Sequence, residues 1–265
     1  MRITIPQIKA KKGAEPIVML TAYTAPFAKI LDKHVDVLLV GDSVGMVIYG
    51  MESTLPVSID MMINHGRAVV NASKKALVVV DMPFGSYQKS KENAFENAAK
   101  IMKETGCSAV KLEGGEEMVE TVEFLTQRAI PVVGHIGLMP QHVHTLGGYK
   151  YQGKTKKEQD DLIRVAKLLE QAGAFAVVVE AVSKEAARRI SSKTGIPIIG
   201  IGASASCDGQ VLVTEDMIGM FGVTPRFVKK YGAVAVEIER CVAEYTKDVR
   251  GRKFPEDKHC FLGKK

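Results

Sequence analysis

Five apolar, β-branched runs in this chain end in side chains able to do chemistry. Asp42 closes the run Val35–Asp42 and Ser43 follows it. Asp81 lies near the end of Leu77–Pro83, and Lys111 and Glu113 end Ala109–Glu113. His135 sits late in Pro131–Gly137, and Glu180 closes Ala174–Glu180. Lys111 and Glu113 are two residues apart, so they share one face of a strand. If these ends meet, the carboxylates of Asp42, Asp81 and Glu113 repel one another and need a shared proton or a cation. They offer oxygen only, which suits Mg²⁺ better than zinc, and Mg²⁺ leaves coordination positions for water and a small anion. Lys111 would add positive charge beside that anion. Glu180 belongs to a different run, Val177-Val178-Val179 before it being apolar, and adds a further carboxylate to the same set of run ends. His135 reads equally as a substrate contact or as a histidine packed under the site. A single strand-end aspartate is often only a helix cap, and Lys111 with Glu113 could be a plain ion pair. The repetition at consecutive run ends is what points to a site. His142, His144 and His259 read as surface or loop residues, and Met46, Met51, Met61 and Met62 as core.

The elements that must position these residues are legible as a repeating pattern. Eight apolar runs occur, at Pro16–Ala22, Val35–Asp42, Leu77–Pro83, Ala109–Glu113, Pro131–Gly137, Ala174–Glu180, Ile196–Ala203 and Gln210–Val213, the last being the weakest. Most are continuous rather than alternating, as for parallel strands covered on both faces. Helical segments lie between most of them. One opens at Ser90, with Phe95, Ala98, Ala99 and Met102 on its inner face, and stops at Gly106. Another carries Leu162, Val165, Ala166 and Leu169 up to Gly173, and a third runs from Ser183 to Gly195 around Ala187 and Ile190. The alternation predicts an α/β fold, a single (β/α)8 TIM barrel, with an open doubly wound sheet as the alternative. The 265 residues fit one catalytic barrel domain over 1–265 without a linker. Gly232–Gly251 reads as a helix with Val234, Ile238, Cys241, Val242 and Tyr245 inward, and 252–265 as a polar tail. In a barrel every strand end above converges on one mouth. Two connections, Ser43–Pro56 and Leu138–Lys157, exceed ordinary barrel loops and carry Gly, Met, His and Tyr, a length and composition typical of functional loops.

Composition excludes several classes. The net charge of +6 is dispersed among acidic residues, Trp is absent and aromatics make up 6%, so neither a nucleic-acid stripe nor a base-stacking surface is expected. The four cysteines form no C-x-x-C pair, which disfavours structural zinc and suits free thiols in the cytoplasm. No run reaches about 18 apolar residues, so no membrane helix is expected.

The motifs GDSVGMVIYG, DMPFGSY, KLEGG, GHIGLMPQ, GGYKYQGKT and IGIG…CDGQVLV, in that order from Gly41 to Val213, resemble those of the ketopantoate hydroxymethyltransferase family. The resemblance implies a barrel of the phosphoenolpyruvate/pyruvate type. It implies transfer of a one-carbon unit from 5,10-methylenetetrahydrofolate to 3-methyl-2-oxobutanoate, giving 2-dehydropantoate for pantothenate and coenzyme A synthesis. On the matching positions it implies Mg²⁺ on Asp42 and Asp81 with Glu113 assisting, keto-acid contacts from Ser43 and Lys111 with Asp42, Asp81 and His135 lining the same place, and Glu180 as proton acceptor. It also implies small-molecule substrates and a homo-oligomer, usually a decamer. One departure is visible: Ser204 follows Ala203 where the family has glycine, and would be strained if that position requires a positive φ. Two other readings compete. One is a Mg²⁺-dependent carbon–carbon lyase acting on 2-oxo acids, although no K-K-C-G-H motif occurs. The other is a non-catalytic anion-binding barrel.

Overall fold

The computed structural model describes residues 1–261, which form two compact units, Met1–Val213 and Thr214 onward. In the first unit eight strands close into a parallel barrel in sequence order. They are β1 Ile17–Thr21, β2 Val37–Val40, β3 Leu77–Asp81, β4 Ala109–Glu113, β5 Val132–Gly137, β6 Ala176–Glu180, β7 Ile198–Ile201 and β8 Gly209–Leu212. Seven of the predicted runs contain their strand whole, and the eighth, Gln210–Val213, is offset by one residue from β8. The short β8 closes the ring by pairing Ile17 with Gly209 through Leu20 with Leu212. The helices of this unit are α1 Ile5–Ala10, α2 Ala25–Leu31, α3 Val44–Val47, α4 Ile59–Ala72, α5 Lys91–Thr105, α6 Val119–Thr126, α7 Val143–Leu146, α8 Lys156–Gln171 and α9 Lys184–Lys193. No helix separates β7 from β8. Ser58, Ser90, Thr155 and Ser183 cap α4, α5, α8 and α9, each accepting a hydrogen bond from the backbone N–H three residues on.

Every second residue of a strand faces the barrel interior, and those residues define its layers. At the closed end they are apolar: Ile17, Met19, Val37, Leu39, Leu77, Val79, Ala109, Val133, Ala176, Val178, Ile199 and Val211 pack into one buried cluster, with Ile8 of α1 beneath it. Two residues further along the same rows the chemistry changes. Val79 is succeeded by Asp81, Ala109 by Lys111 and then Glu113, Val133 by His135 and Val178 by Glu180. The apolar rows therefore carry the polar side chains inward at the opposite end.

Some helix faces differ from the sequence expectation. On α5 the buried residues are Ala94, Ala98, Ile101 and Thr105, one position round from the predicted stripe of Phe95, Ala98, Ala99 and Met102. Small residues let the helix approach its neighbours closely, while Phe95 turns sideways onto Phe124 of α6, ring centroids 6.4 Å apart. Of the methionines predicted as core, only Met62 is fully buried and Met46 is exposed. Ser204 does not adopt a positive φ. Gly202 takes that conformation instead (φ +58°), and Ser204 accepts from Ser206 N–H and, through its carbonyl, from Gln210 Nε2.

In the second unit α10 spans Thr214–Met217 and α11 spans Val234–Arg250. The predicted helix is present, but its stripe is not inward: Ile238, Cys241, Val242 and Tyr245 are exposed and Val234 is only half-buried. Periodicity reports that a stripe is apolar, not what covers it. Residues 252–261 of the predicted tail are exposed, and 262–265 lie outside the described residues. Among the described residues no helix is long and apolar enough to cross a membrane.

At the closed end the barrel seam is held by Asp208. Its carboxylate accepts from Lys12 Nζ (2.8 Å), Ser191 Oγ (3.1 Å) and the backbone N–H groups of Gly13 (3.0 Å) and Ile198 (2.9 Å). Burial opposes its charge, but Lys12 and these N–H donors hold its carboxyl below the usual aspartate range. A carboxyl with a lowered folded-state pKa stabilises above its unfolded pKa, and that contribution fades as pH falls through the folded value. Asp208→Ala is expected to lower unfolding stability at pH 7 by about 3–5 kcal/mol. The gap to wild type should shrink in acid, as urea unfolding at several pH values will show.

Candidate active site

At the open mouth, strand register brings the predicted residues together. Asp81 pairs with Lys111 across β3 and β4, Glu113 with His135 across β4 and β5, and Gly137 with Glu180 across β5 and β6. Asp42 lies just past β2, where its backbone N–H donates to Asp81 Oδ2 (3.1 Å). Lys111 Nζ sits 3.1 Å from the same oxygen. His135 lies between two glutamates, with Nδ1 3.3 Å from Glu113 Oε1 and Nε2 3.4 Å from Glu180 Oε2. The second contact is one of charge rather than a formed hydrogen bond, since Nε2 has no hydrogen-bond partner of good geometry. Asp42, Asp81, Lys111, Glu113 and His135 are all buried, and Glu180 is half-buried at 16% side-chain exposure. Glu180 is thus the carboxylate best exposed to an incoming ligand. Its neighbour on this side is an imidazole rather than the apolar wall suggested by the three valines before it. Ser43, half-buried, shares a hydrogen bond with Tyr23 Oη (2.8 Å).

Electrostatics in this cluster are strained toward a cation. Burial, then the charges of Asp81 and Glu113, push the Asp42 carboxyl up to about 8. Burial also raises Asp81 above the aspartate range, in spite of Lys111. Burial works against the Lys111 ammonium, yet Asp81, Glu113 and Asp42 hold it above the lysine range. For His135, burial and Lys111 disfavour the charge, but Glu113 and Glu180 outweigh them and lift the imidazole to about 9. A protonated His135 has no lone pair for Lys111, so the 3.3 Å approach of Lys111 Nζ to Nδ1 is a contact of two donors and Asp81 is the lysine's true partner. Glu113 falls below its usual range: burial alone would raise it, but His135 and Lys111 outweigh burial. Four carboxylates thus face two cations. Burial and mutual repulsion thus favour a proton within the Asp42–Asp81 pair, a charge that a divalent ion could supply instead.

The donor set fits such an ion. Asp42 and Asp81 supply only hard oxygen, and Asp81 Oδ1 is buried without a hydrogen-bond partner. Glu113 fits less directly, because Oε1 meets His135 and Oε2 accepts from Gln141 N–H (3.0 Å). Among the described residues no group of three or more His, Cys, Asp or Glu side chains converges tightly enough to hold a metal by itself. The arrangement suits two protein carboxylates completed by water and ligand oxygens, which is the habit of Mg²⁺.

Sequence reasoning missed Tyr87 and Gln141, both buried and wired into the cluster. Neither ends a strand. Their only signal was membership of the DMPFGSY and GHIGLMPQ motifs.

Glu180 is aimed by backbone packing. Gly137 has φ +96°, and a Cβ there would stand 2.4 Å from the Glu180 carbonyl oxygen. Gly137→Ala therefore combines a disfavoured backbone with a clash. It is expected to lower stability by about 1–3 kcal/mol and to displace Glu180, so that activity per folded molecule falls as well. Thermal unfolding and activity measured on one preparation will separate the two effects.

Comparison with known proteins identifies the family. A family model for ketopantoate hydroxymethyltransferase matches residues 2–257. A 3-methyl-2-oxobutanoate hydroxymethyltransferase from Rhizobium etli is 58% identical over 261 residues, covering 98% of this chain and 96% of the relative. One from Paramagnetospirillum magneticum is 56% identical over 261 residues, covering 98% and 95%. Among solved structures, phosphonopyruvate hydrolase superposes with a TM-score of 0.63 at 13% identity, covering 99% of this chain and 92% of its own. A 2,3-dimethylmalate lyase of the PEP mutase/isocitrate lyase superfamily gives 0.61 at 14%, covering 94% and 88%. These two share the fold, whereas the first three matches span nearly the whole sequence at family level. With its motifs in order and its charged mouth assembled as the barrel requires, the chain belongs to the ketopantoate hydroxymethyltransferase family.

Proposed function

We propose that this chain is a 3-methyl-2-oxobutanoate hydroxymethyltransferase that takes its one-carbon unit from 5,10-methylenetetrahydrofolate and forms 2-dehydropantoate. The observation that carries the mechanism is the placing of Glu180, half-buried, across His135 from the buried Asp42–Asp81–Lys111 group. A Mg²⁺ ion on Asp42 and Asp81, with Glu113 assisting through water, would supply electrophilic stabilisation to the keto-acid oxygens as negative charge develops. Lys111 adds fixed positive charge next to the same oxygens, and Ser43 offers a hydroxyl held by Tyr23. The C3 proton passes to Glu180, and His135 beside it holds that carboxylate toward the mouth by charge. The nucleophilic carbon then bonds to the donor's methylene carbon, whose two bonds to folate nitrogen break as water supplies the hydroxyl oxygen, and tetrahydrofolate leaves with the C3 proton equivalent and one proton from water on those nitrogens.

Every residue with a role lies in the first unit, between Tyr23 and Glu180. The exposed apolar stripe of α11 supports a homo-oligomer, a decamer by family resemblance. The four unpaired thiols are in keeping with a cytoplasmic enzyme. The test is direct: purified protein with both substrates and Mg²⁺ should yield 2-dehydropantoate by mass spectrometry, and a chelator should stop it. Intact folded protein that forms no product under these conditions would end the proposal.

A further inference from the structure

A directed chain of hydrogen bonds runs behind the carboxylates. Glu113 N–H donates to Tyr87 Oη (3.1 Å), and Tyr87 O–H donates to Gln141 Oε1 (2.6 Å). Gln141 Nε2 then donates to Asp42 Oδ2 (2.8 Å) and to the Met82 carbonyl (3.0 Å). Gln88 Nε2 adds a second donor to Gln141 Oε1 (3.2 Å). The direction is fixed by chemistry. The Met82 carbonyl can only accept, so the amide nitrogen must face it, and the same nitrogen reaches Asp42 Oδ2 beside it. Tyr87 Oη already accepts from Glu113, so its proton goes to the amide oxygen. The backbone N–H of Gln141 meanwhile donates to Glu113 Oε2 (3.0 Å). One residue of the Leu138–Lys157 connection therefore bonds two of the three carboxylates by separate donors.

Gln141, Tyr87 and Asp42 are all buried, so these bonds are shielded from water and an unmade one is expensive. An amide suits the position for a further reason. A lysine or arginine would satisfy Asp42 equally well but would cancel the negative charge that attracts a cation. A neutral donor fixes the carboxylate and leaves the field in place.

We propose that Gln141 and Tyr87 are positioning residues: Tyr87 sets the amide of Gln141, and Gln141 holds the Asp42 carboxylate in the orientation that binds the divalent ion. This rests on the metal reading above and extends it to residues that touch neither ion nor substrate. It also ties the seating of the Leu138–Lys157 connection to the competence of the cation site.

The experiment measures Mn²⁺ binding to the full chain by electron paramagnetic resonance, with 3-methyl-2-oxobutanoate present, for wild type, Gln141→Ala, Tyr87→Phe, the double variant and Asp42→Asn. Melting temperatures are taken on the same samples. Outer partners of metal ligands typically contribute roughly 10–100-fold to affinity. Gln141→Ala and Tyr87→Phe should each weaken Mn²⁺ binding within that range, and the double variant should be no weaker than Gln141→Ala, because both losses act through one amide. Wild-type Mn²⁺ affinity in either folded single variant, additive losses in the double, or failure of both single variants to fold would overturn the proposal. A wild-type protein that binds no Mn²⁺, or an Asp42→Asn protein that binds it unchanged, would instead remove the metal reading on which the inference rests.

Discussion

Glu180→Gln is expected to bind 3-methyl-2-oxobutanoate and Mg²⁺ nearly as wild type and to lose exchange of the C3 proton by roughly 10²–10⁴-fold, the usual contribution of a general base. The glutamine keeps the length and hydrogen-bonding reach of the side chain but cannot take the proton. Binding should survive because Glu180 lies across His135 from Asp42, Asp81 and Lys111, with His135 Nε2 3.4 Å from its carboxylate. A purely structural role predicts another result. His135 would lose one of its two glutamate neighbours and the fold would weaken, while exchange per folded molecule stayed intact. Calorimetric binding, melting temperature and deuterium exchange on one preparation distinguish these outcomes. Wild-type exchange in a folded Glu180→Gln protein would take Glu180 out of the mechanism and turn attention to His135.

Asp81→Asn is expected to weaken Mg²⁺ and keto-acid binding together, by more than about 100-fold, since a directly bonded oxygen contributes more than the 10–100-fold of an outer partner. The change removes one charge from a crowded buried group. It also deprives Lys111 of the carboxylate 3.1 Å away. The hydrogen bond from Asp42 N–H can persist to the asparagine oxygen, so the fold should hold. Titration calorimetry with the keto acid, with and without Mg²⁺, reads the coupling. Unchanged keto-acid affinity in the presence of Mg²⁺ would contradict the role given to Asp81.

The barrel and the gathering of its charged mouth were legible in the sequence for one physical reason. Parallel strands covered on both faces are nearly continuous apolar runs, so a polar residue at the end of a run stands out. Asp81, Lys111, Glu113, His135 and Glu180 all stand on inward rows that begin as valine, alanine or leucine. Tyr87 and Gln141 did not stand out because they come from connections, where polar residues are ordinary and no period marks which way a side chain turns. Gln141 enters the site because the segment after β5 folds back so that its own N–H reaches Glu113, a tertiary contact without local signature. Helix faces failed for a related reason. On α5 the stripe of largest apolar residues was not the buried one, since close approach favoured Ala94, Ala98 and Thr105 over Phe95. On α11 the apolar stripe exists, but Ile238, Val242 and Tyr245 are exposed.

The reaction proposed for this mouth is removal of the C3 proton of a 2-oxo acid with the help of a divalent cation. The most direct test follows the C3 signal of 3-methyl-2-oxobutanoate by NMR in deuterated water with catalytic amounts of wild-type protein and Mg²⁺. The C3 proton signal should disappear progressively, with collapse of the methyl doublet, and the loss should stop when the cation is chelated and resume when it is restored. Folded protein that leaves the C3 proton untouched, or that exchanges it equally well after chelation, would contradict it.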